Sequence, residues 1–134
     1  MKDGLLHYVH NYVASEYFHV SSTEKVPIGV HQLRFEFEVT GPPNIAEGKG
    51  VPGRAQLYFD GKLVGQADFP YTTPLTFGVA GGALECGMDS GSPVTPEYKP
   101  PFEFTGTIDS VTVDVSGELI KDTEAEIRQI MARQ

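Results

Sequence analysis

The side chains in this sequence best able to carry a proton or hold a transition metal are four histidines, His7, His10, His19 and His31. Side chains of an extended segment alternate faces, so the odd spacing of His7 and His10 turns them to opposite sides and no local ligand pair forms without a bulge. Any metal centre would have to be assembled from different strands. Glu85 and Asp89 lie in the glycine-rich stretch 81–91, where carboxylates and backbone carbonyls suit a hard cation. They form a weak calcium candidate, without the repeated Asp pattern of an EF-hand loop, and no other metal or cofactor is expected. Glu36 and Glu38 project from one strand face as a glycosidase pair would, but a polar outer face explains them with less effort. Ser90 and Ser92 flank Gly91 without forming a Gly-x-Ser-x-Gly elbow, and no base accompanies them. Tyr8 and Tyr12 share a face with His10 between them, which suits either stacking on a sugar or aromatic partner or burial in a core. No catalytic residue is assigned.

These residues must be positioned by strands. Leu33, Phe35, Phe37 and Val39 alternate with Arg34, Glu36 and Glu38, the period of a strand with one buried and one wet face. Residues 108–115 repeat the pattern, with Val111, Val113 and Val115 inward and Ser110, Thr112 and Asp114 outward, and these two segments are the most secure strands. Between them, Leu57-Tyr58-Phe59 and Lys62-Leu63-Val64-Gly65 flank Asp60-Gly61, a dipeptide that accepts positive φ at both central positions of a tight hairpin. Further strands are expected at 5–13, 17–21, 75–79 and 102–105. Fifteen glycines and ten prolines fall mostly between these runs, with long loops at 41–53 and 91–101. Many short strands punctuated in this way indicate an all-β sandwich or barrel. From Asp122 the composition turns helical, Thr123 and Glu126 form a capping box, and Ile127, Ile130 and Met131 share one face. So short a helix must dock, on its own sandwich or on a second chain. The division expected is a β-sandwich over 1–118 and a helical tail over 119–134.

Composition bounds the function. A chain of 134 residues with 40% hydrophobic and 21% charged residues is one globular domain. Its formal net charge of −8 opposes tracking of phosphate backbones and adhesion to anionic membranes, so neither nucleic acid nor membrane is an expected partner. The single cysteine, Cys86, excludes an intrachain disulfide and reads as a small buried or half-buried residue rather than a reactive thiol. The first residues carry no apolar signal-peptide region, and no apolar run approaches the roughly 18 residues of a membrane span, so a cytoplasmic address is the default. No phosphate loop or dinucleotide fingerprint is present.

Several segments taken in order resemble the C-terminal, noncatalytic domain of large bacterial arylsulfatases. They are Lys2-Asp3-Gly4-Leu5-Leu6-His7-Tyr8-Val9-His10-Asn11-Tyr12, then Leu33-Arg34-Phe35-Glu36-Phe37, then the Asp-Gly hairpin with its flanks. Gly87-Met88-Asp89-Ser90-Gly91-Ser92-Pro93-Val94 and Pro101-Phe102-Glu103-Phe104-Thr105-Gly106-Thr107-Ile108 complete a likeness covering roughly residues 2 to 116. The resemblance implies a concanavalin A-like jelly-roll β-sandwich. It does not imply sulfatase activity, because the family's nucleophile is a formylglycine made from Cys or Ser in a Cys/Ser-x-Pro-Ser/Ala-Arg motif. The nearest register here, Gly50-Val51-Pro52-Gly53-Arg54, offers a glycine with no β-carbon to oxidise, and Cys86-Gly87-Met88-Asp89-Ser90 fits no better. The resemblance also implies that a strand or more precedes Lys2, leaving an open sheet edge to be covered by the tail or by a second protomer.

The expected role is therefore a noncatalytic accessory or interaction domain, free-standing and oligomeric or paired with a sulfatase-like catalytic domain. One alternative is a carbohydrate-binding module of the laminin-G or lectin type, with Tyr71, Tyr98 and Asp89 on the loops as its ligand-binding residues. The other is a hydrolase whose site is scattered over Glu36, Glu38 and His31.

Overall fold

The computed structural model describes residues 1–74 and 84–117. Its organising element is a hairpin of β4 (Gly53–Phe59) and β5 (Lys62–Phe69), preceded by β1 (His7–Tyr12), β2 (Glu16–Ser21) and β3 (Leu33–Val39). Asp60 and Gly61 turn the hairpin with φ of 47° and 82°, the paired left-handed conformations that the Asp-Gly dipeptide predicts. Asp60 also anchors the start of β3. Its Oδ1 accepts from the Gln32 N–H at 2.9 Å, and its own N–H donates to the Gln32 carbonyl at 2.9 Å. β3 then pairs antiparallel with β4 from Leu33 opposite Phe59 to Val39 opposite Gly53, giving a three-stranded sheet in the order β3-β4-β5.

Alternation along β4 is complete. Gly53, Ala55, Leu57 and Phe59 are buried while Arg54, Gln56 and Tyr58 reach the other face. On that outer face the Arg34 guanidinium lies 4.2 Å from the Tyr58 ring centre, and Arg34 pairs with Glu36 at 2.7 Å. β5 keeps the alternation only by means of a bulge. Tyr58 faces Leu63 but Leu57 faces Gly65, so Val64 is the extra residue, and both Val64 and Gly65 are buried.

The second layer is the β1–β2 pair, antiparallel from His7 opposite Ser21 to Tyr12 opposite Glu16. Tyr8, His10, Tyr12, Phe18 and Val20 therefore share its inner face, and His7, Val9, Asn11, Tyr17, His19 and Ser21 its outer one. Val20 joins Ala55, Leu57, Phe59, Val64 and Phe69 in the buried core, with Leu6, Tyr8, Phe18, Val26, Phe37 and Ala67 packed around them. Beyond this core, β6 (Met88–Asp89) and β7 (Phe102–Glu103) make a small antiparallel pair. The described chain is thus all-β, its helical content limited to one 3-10 turn, Ile45–Glu47, inside the expected long loop 41–53. No helix among the described residues is long and apolar enough to cross a membrane.

One expected strand is overturned. Residues 108–115 carry the right alternation but make no ladder among the described residues, and Val111, Val113 and Val115 are 55%, 62% and 85% exposed. Alternation states which face a strand would bury; it does not supply the neighbouring backbone that makes a strand. The apolar face of β3 is also only partly covered, since Leu33, Phe35 and Val39 remain exposed. The expected strand at 75–79 and the helical tail at 119–134 lie outside the described residues.

Leu57 is the largest fully buried side chain, so Leu57→Ala is expected to destabilise the fold by about 2–5 kcal/mol in urea unfolding. A Cβ on Gly61 meets nothing within 4 Å, so Gly61→Ala should cost only the left-handed backbone, about 1–2 kcal/mol. A Cβ on Gly65 collides with the Ser21 carbonyl, and Gly65→Ala should lower the urea midpoint more than Gly61→Ala does.

Candidate functional site

The tyrosine–histidine face of β1 turns to the core. Tyr8 stacks on Phe35 with ring centres 3.8 Å apart and lies 5.9 Å from Phe69; burial pushes its phenol above the ordinary range. Tyr12 donates to the Gly48 carbonyl at 2.8 Å and meets Tyr71 edge-on at 5.0 Å. Between them, His10 Nε2 accepts from the Thr73 N–H at 3.0 Å, which uses the ring's lone pair, and burial holds its pKa below the ordinary imidazole value. This face is therefore occupied by the protein's own packing.

The three loop residues expected to bind ligand separate into two groups. Tyr71 belongs to the aromatic end of the core, edge-on to Phe18 at 5.0 Å, with the Lys49 ammonium 5.1 Å from its ring centre. Its hydroxyl donates to Glu16 Oε1 at 2.6 Å, and chiefly for that reason its pKa is pushed up to about 12. Asp89 and Tyr98 are brought together: the Tyr98 hydroxyl donates to Asp89 Oδ2 and accepts from the Val94 N–H at 2.9 Å, while its ring packs on Phe102 at 4.5 Å. Burial, and then the Asp89 carboxylate, raise the Tyr98 pKa.

The weak calcium candidate is divided in the same way. Glu85 accepts from the Ser90 N–H at 2.9 Å and from the Ser90 hydroxyl, bonds that hold its carboxyl below the ordinary range, whereas Asp89 serves Tyr98. Among the described residues no three His, Cys, Asp or Glu side chains converge on one point. Cys86 is exposed, not buried or half-buried as its residue type suggests, because the stretch 84–87 lies outside the core.

Of the scattered hydrolase residues, His31 and Glu36 keep separate partners, and Glu38 lies beside Glu36 on the outer face of β3. His31 Nδ1 lies 2.7 Å from Asp60 Oδ2 and its Nε2 3.3 Å from the Ile28 carbonyl, while Glu36 pairs with Arg34. The Asp60 carboxylate raises the His31 pKa, and the Gln32 N–H with the His31 ring lowers that of Asp60. His31 thus buttresses the hairpin turn.

A further group was not legible in the sequence. On the outer face of the β1–β2 pair, His7 Nδ1 and His19 Nε2 are 2.9 Å apart, and Ser21 Oγ lies 3.1 Å from the first and 3.2 Å from the second. The two rings lie edge to edge along this contact, their centres 5.1 Å apart and their planes within 14° of one another. His7 Nε2 is 3.1 Å from the Lys2 carbonyl, which can only accept, so the neutral ring carries its proton there and leaves Nδ1 bare. Lys2 is itself tied to Glu97 at 2.8 Å. The signal was His19 and Ser21 on one face of one strand with His7 on another, but bringing His7 to His19 needs the β1–β2 register.

Comparison with known proteins found no matching family model, no similar curated protein and no matching solved structure.

Because burial depresses the His10 pKa, the unfolded chain takes up that proton more readily than the folded one. The stability that neutral His10 contributes is present above the ordinary imidazole pKa of about 6.5 and is lost as pH falls through the depressed folded value. His31, with its raised pKa, contributes in the opposite sense, present at low pH and lost as pH rises. Urea midpoints followed from pH 8 down to about pH 5 should therefore fall less steeply for His10→Gln than for the parent chain.

Proposed function

We propose that this chain is a noncatalytic accessory domain that works through its sheet edges, associating with a second copy of itself. The observation carrying this reading is the segment 108–115, an alternating valine-rich stretch whose apolar side chains are exposed and whose backbone has no ladder partner among the described residues. An eight-residue extended segment of this composition spans about 26 Å and calls for an open edge of matching length. The edge of β3, unpaired among the described residues, offers seven residues in the same alternation, with Leu33, Phe35 and Val39 exposed on the face that needs covering. Addition of residues 108–115 of one copy to β3 of another would bury both apolar rows and satisfy both backbones, and twofold symmetry would let the exchange be reciprocal.

The proposal extends to the architecture. The two packed layers are taken as part of a concanavalin A-like jelly roll, as the resemblance to arylsulfatase C-terminal domains implies, and a separate catalytic domain is the other class of partner for the same edges. The net charge of −8 keeps such an edge from sticking indiscriminately while leaving the specific pairing available.

Light scattering on the eluting peak of a sizing column should give twice the 14.6 kDa chain mass. Val111→Lys combined with Val113→Lys should return the mass to one chain without loss of solubility, because edge lysines block strand addition. A parent chain that is monomeric over the whole accessible concentration range would overturn the proposal.

A further inference from the structure

We infer that residues 108–115 of one copy add antiparallel to β3 of a second copy in one register, with Asp114 of the first opposite Arg34 of the second. This rests on the edge pairing proposed above and names its orientation, its register and the ion pair that selects them.

The backbone of β3 shows which of its groups await a partner. The Asp60 N–H donates to the Gln32 carbonyl at 2.9 Å and the Thr40 N–H to the Pro52 carbonyl at 3.0 Å, and the β3–β4 register between these bonds runs without a shift. Hydrogen-bonded and non-hydrogen-bonded pairs alternate along an antiparallel ladder, so Gln32, Arg34, Glu36, Glu38 and Thr40 turn their backbone groups to β4. Leu33, Phe35, Phe37 and Val39 therefore turn theirs to the outer edge, where no strand lies among the described residues. The residues with the apolar side chains and those with the unpaired backbone groups are the same four. An incoming strand that sets its own apolar row against them satisfies both needs at once.

Four alignments bring Val111, Val113 and Val115 all opposite apolar residues of β3, two antiparallel and two parallel. Charge separates them. The antiparallel alignment that sets Val115 against Phe35 places Asp114 against Glu36. The parallel ones place Asp114 against Glu36 or against Glu38. Like charges directly opposite one another are destabilising, and these three alignments each contain such a pair. The remaining one sets Val115, Val113 and Val111 against Leu33, Phe35 and Phe37. It places Asp114 against Arg34, Thr112 against Glu36 and Ser110 against Glu38, with Asp109 opposite Val39 at the end of the ladder.

This alignment also makes Arg34–Asp114 a non-hydrogen-bonded pair, the kind in which facing side chains stand closer. Arg34 gives one nitrogen to Glu36 at 2.7 Å and one ring face to Tyr58, which leaves further guanidinium donors for Asp114. Asp114 Oδ1 accepts from the Ser116 N–H at 2.9 Å, and Oδ2 is left for the guanidinium.

The test mixes two full-length chains, each carrying one new cysteine and Cys86→Ser to remove the exposed native thiol. Glu38→Cys in one chain and Ser110→Cys in the other face each other in this register, at the Cα separation of about 4.5 Å that a disulfide can span. Both positions are exposed. Oxidation should give a band at twice the 14.6 kDa chain mass on a non-reducing gel. Glu38→Cys mixed with Thr112→Cys reports the slipped antiparallel alignment, and mixed with Asp114→Cys or Ser116→Cys the two parallel ones. A dimer that links fastest through position 112, 114 or 116, or through none of the four, overturns the register and leaves the dimer standing. A parent chain that is monomeric by light scattering overturns both. As a second measurement, Arg34→Asp should weaken the dimer about fivefold, and adding Asp114→Arg should restore it, with far-UV circular dichroism checking that each variant folds. A double variant no tighter than Arg34→Asp alone would overturn the ion pair.

Discussion

The end of β2 comes down onto β5 at a place where β5 has no side chain. Gly65 leaves room for the Ser21 carbonyl, and Val64, thrown inward by the bulge, presents its own carbonyl to Thr23. That oxygen accepts both the Thr23 N–H at 2.7 Å and the Thr23 hydroxyl at 3.0 Å. One residue along, the buried Ser22 hydroxyl accepts from the Leu6 N–H at 3.0 Å and donates to the Glu24 carbonyl at 2.7 Å. Buried backbone groups must find partners, and here a bulge, a glycine and two hydroxyls satisfy them where the layers join. Everything inside depends on this seam, because it sets Val20 against Leu57 and Val64 and brings Tyr8 over Phe35.

That seam also decides which surfaces remain available. With Tyr8, His10 and Phe18 turned inward, the β1–β2 pair turns outward the face that carries His7, Val9, Asn11, Tyr17, His19 and Ser21. The aromatic side chains that suggested sugar stacking are occupied with one another or with carboxylates: Tyr12 with Tyr71, Tyr71 with Glu16, Tyr98 with Asp89. The three-stranded sheet is left with a wet outer face of paired charges and an apolar edge strand, β3, that the second layer covers only in part, through Tyr8 on Phe35. The accessory role proposed above would place recognition at the sheet edges and at a strand face.

The surface ion pairs contribute little to holding the layers together. Lys2–Glu97, Lys49–Glu47, Arg54–Asp68 and Lys62–Glu24 all keep substantial exposure on both partners, where solvent and salt screen them. The pKa shifts of Lys2, Glu97, Glu47, Lys49 and Arg54 report local pairing rather than stored stability. The weight rests on a small apolar core of one residue from β2 and five from the β4–β5 hairpin, with aromatic rings around it.

Local chemistry made part of this legible in the residues themselves. The alternation of residues 33–39 and the Asp60-Gly61 turn appear where the pattern puts them, because strand period and positive φ depend only on neighbouring residues. The odd spacing of His7 and His10 likewise parts them to opposite faces. Whether an alternating segment finds a partner is not a local property, and so residues 108–115, with the same pattern as β3, stand without a ladder among the described residues. Nor is register local: His7 meets His19 because Val9 lies opposite His19 and His7 opposite Ser21, and a slip of one residue would have turned that histidine inward. The sequence by itself determined the class of structure, the turn and the wet face of β3. The tertiary structure alone decided that the tyrosines face inward, that His31 serves the hairpin turn, and that two distant histidines share one proton's space, since each depends on which backbone lies alongside.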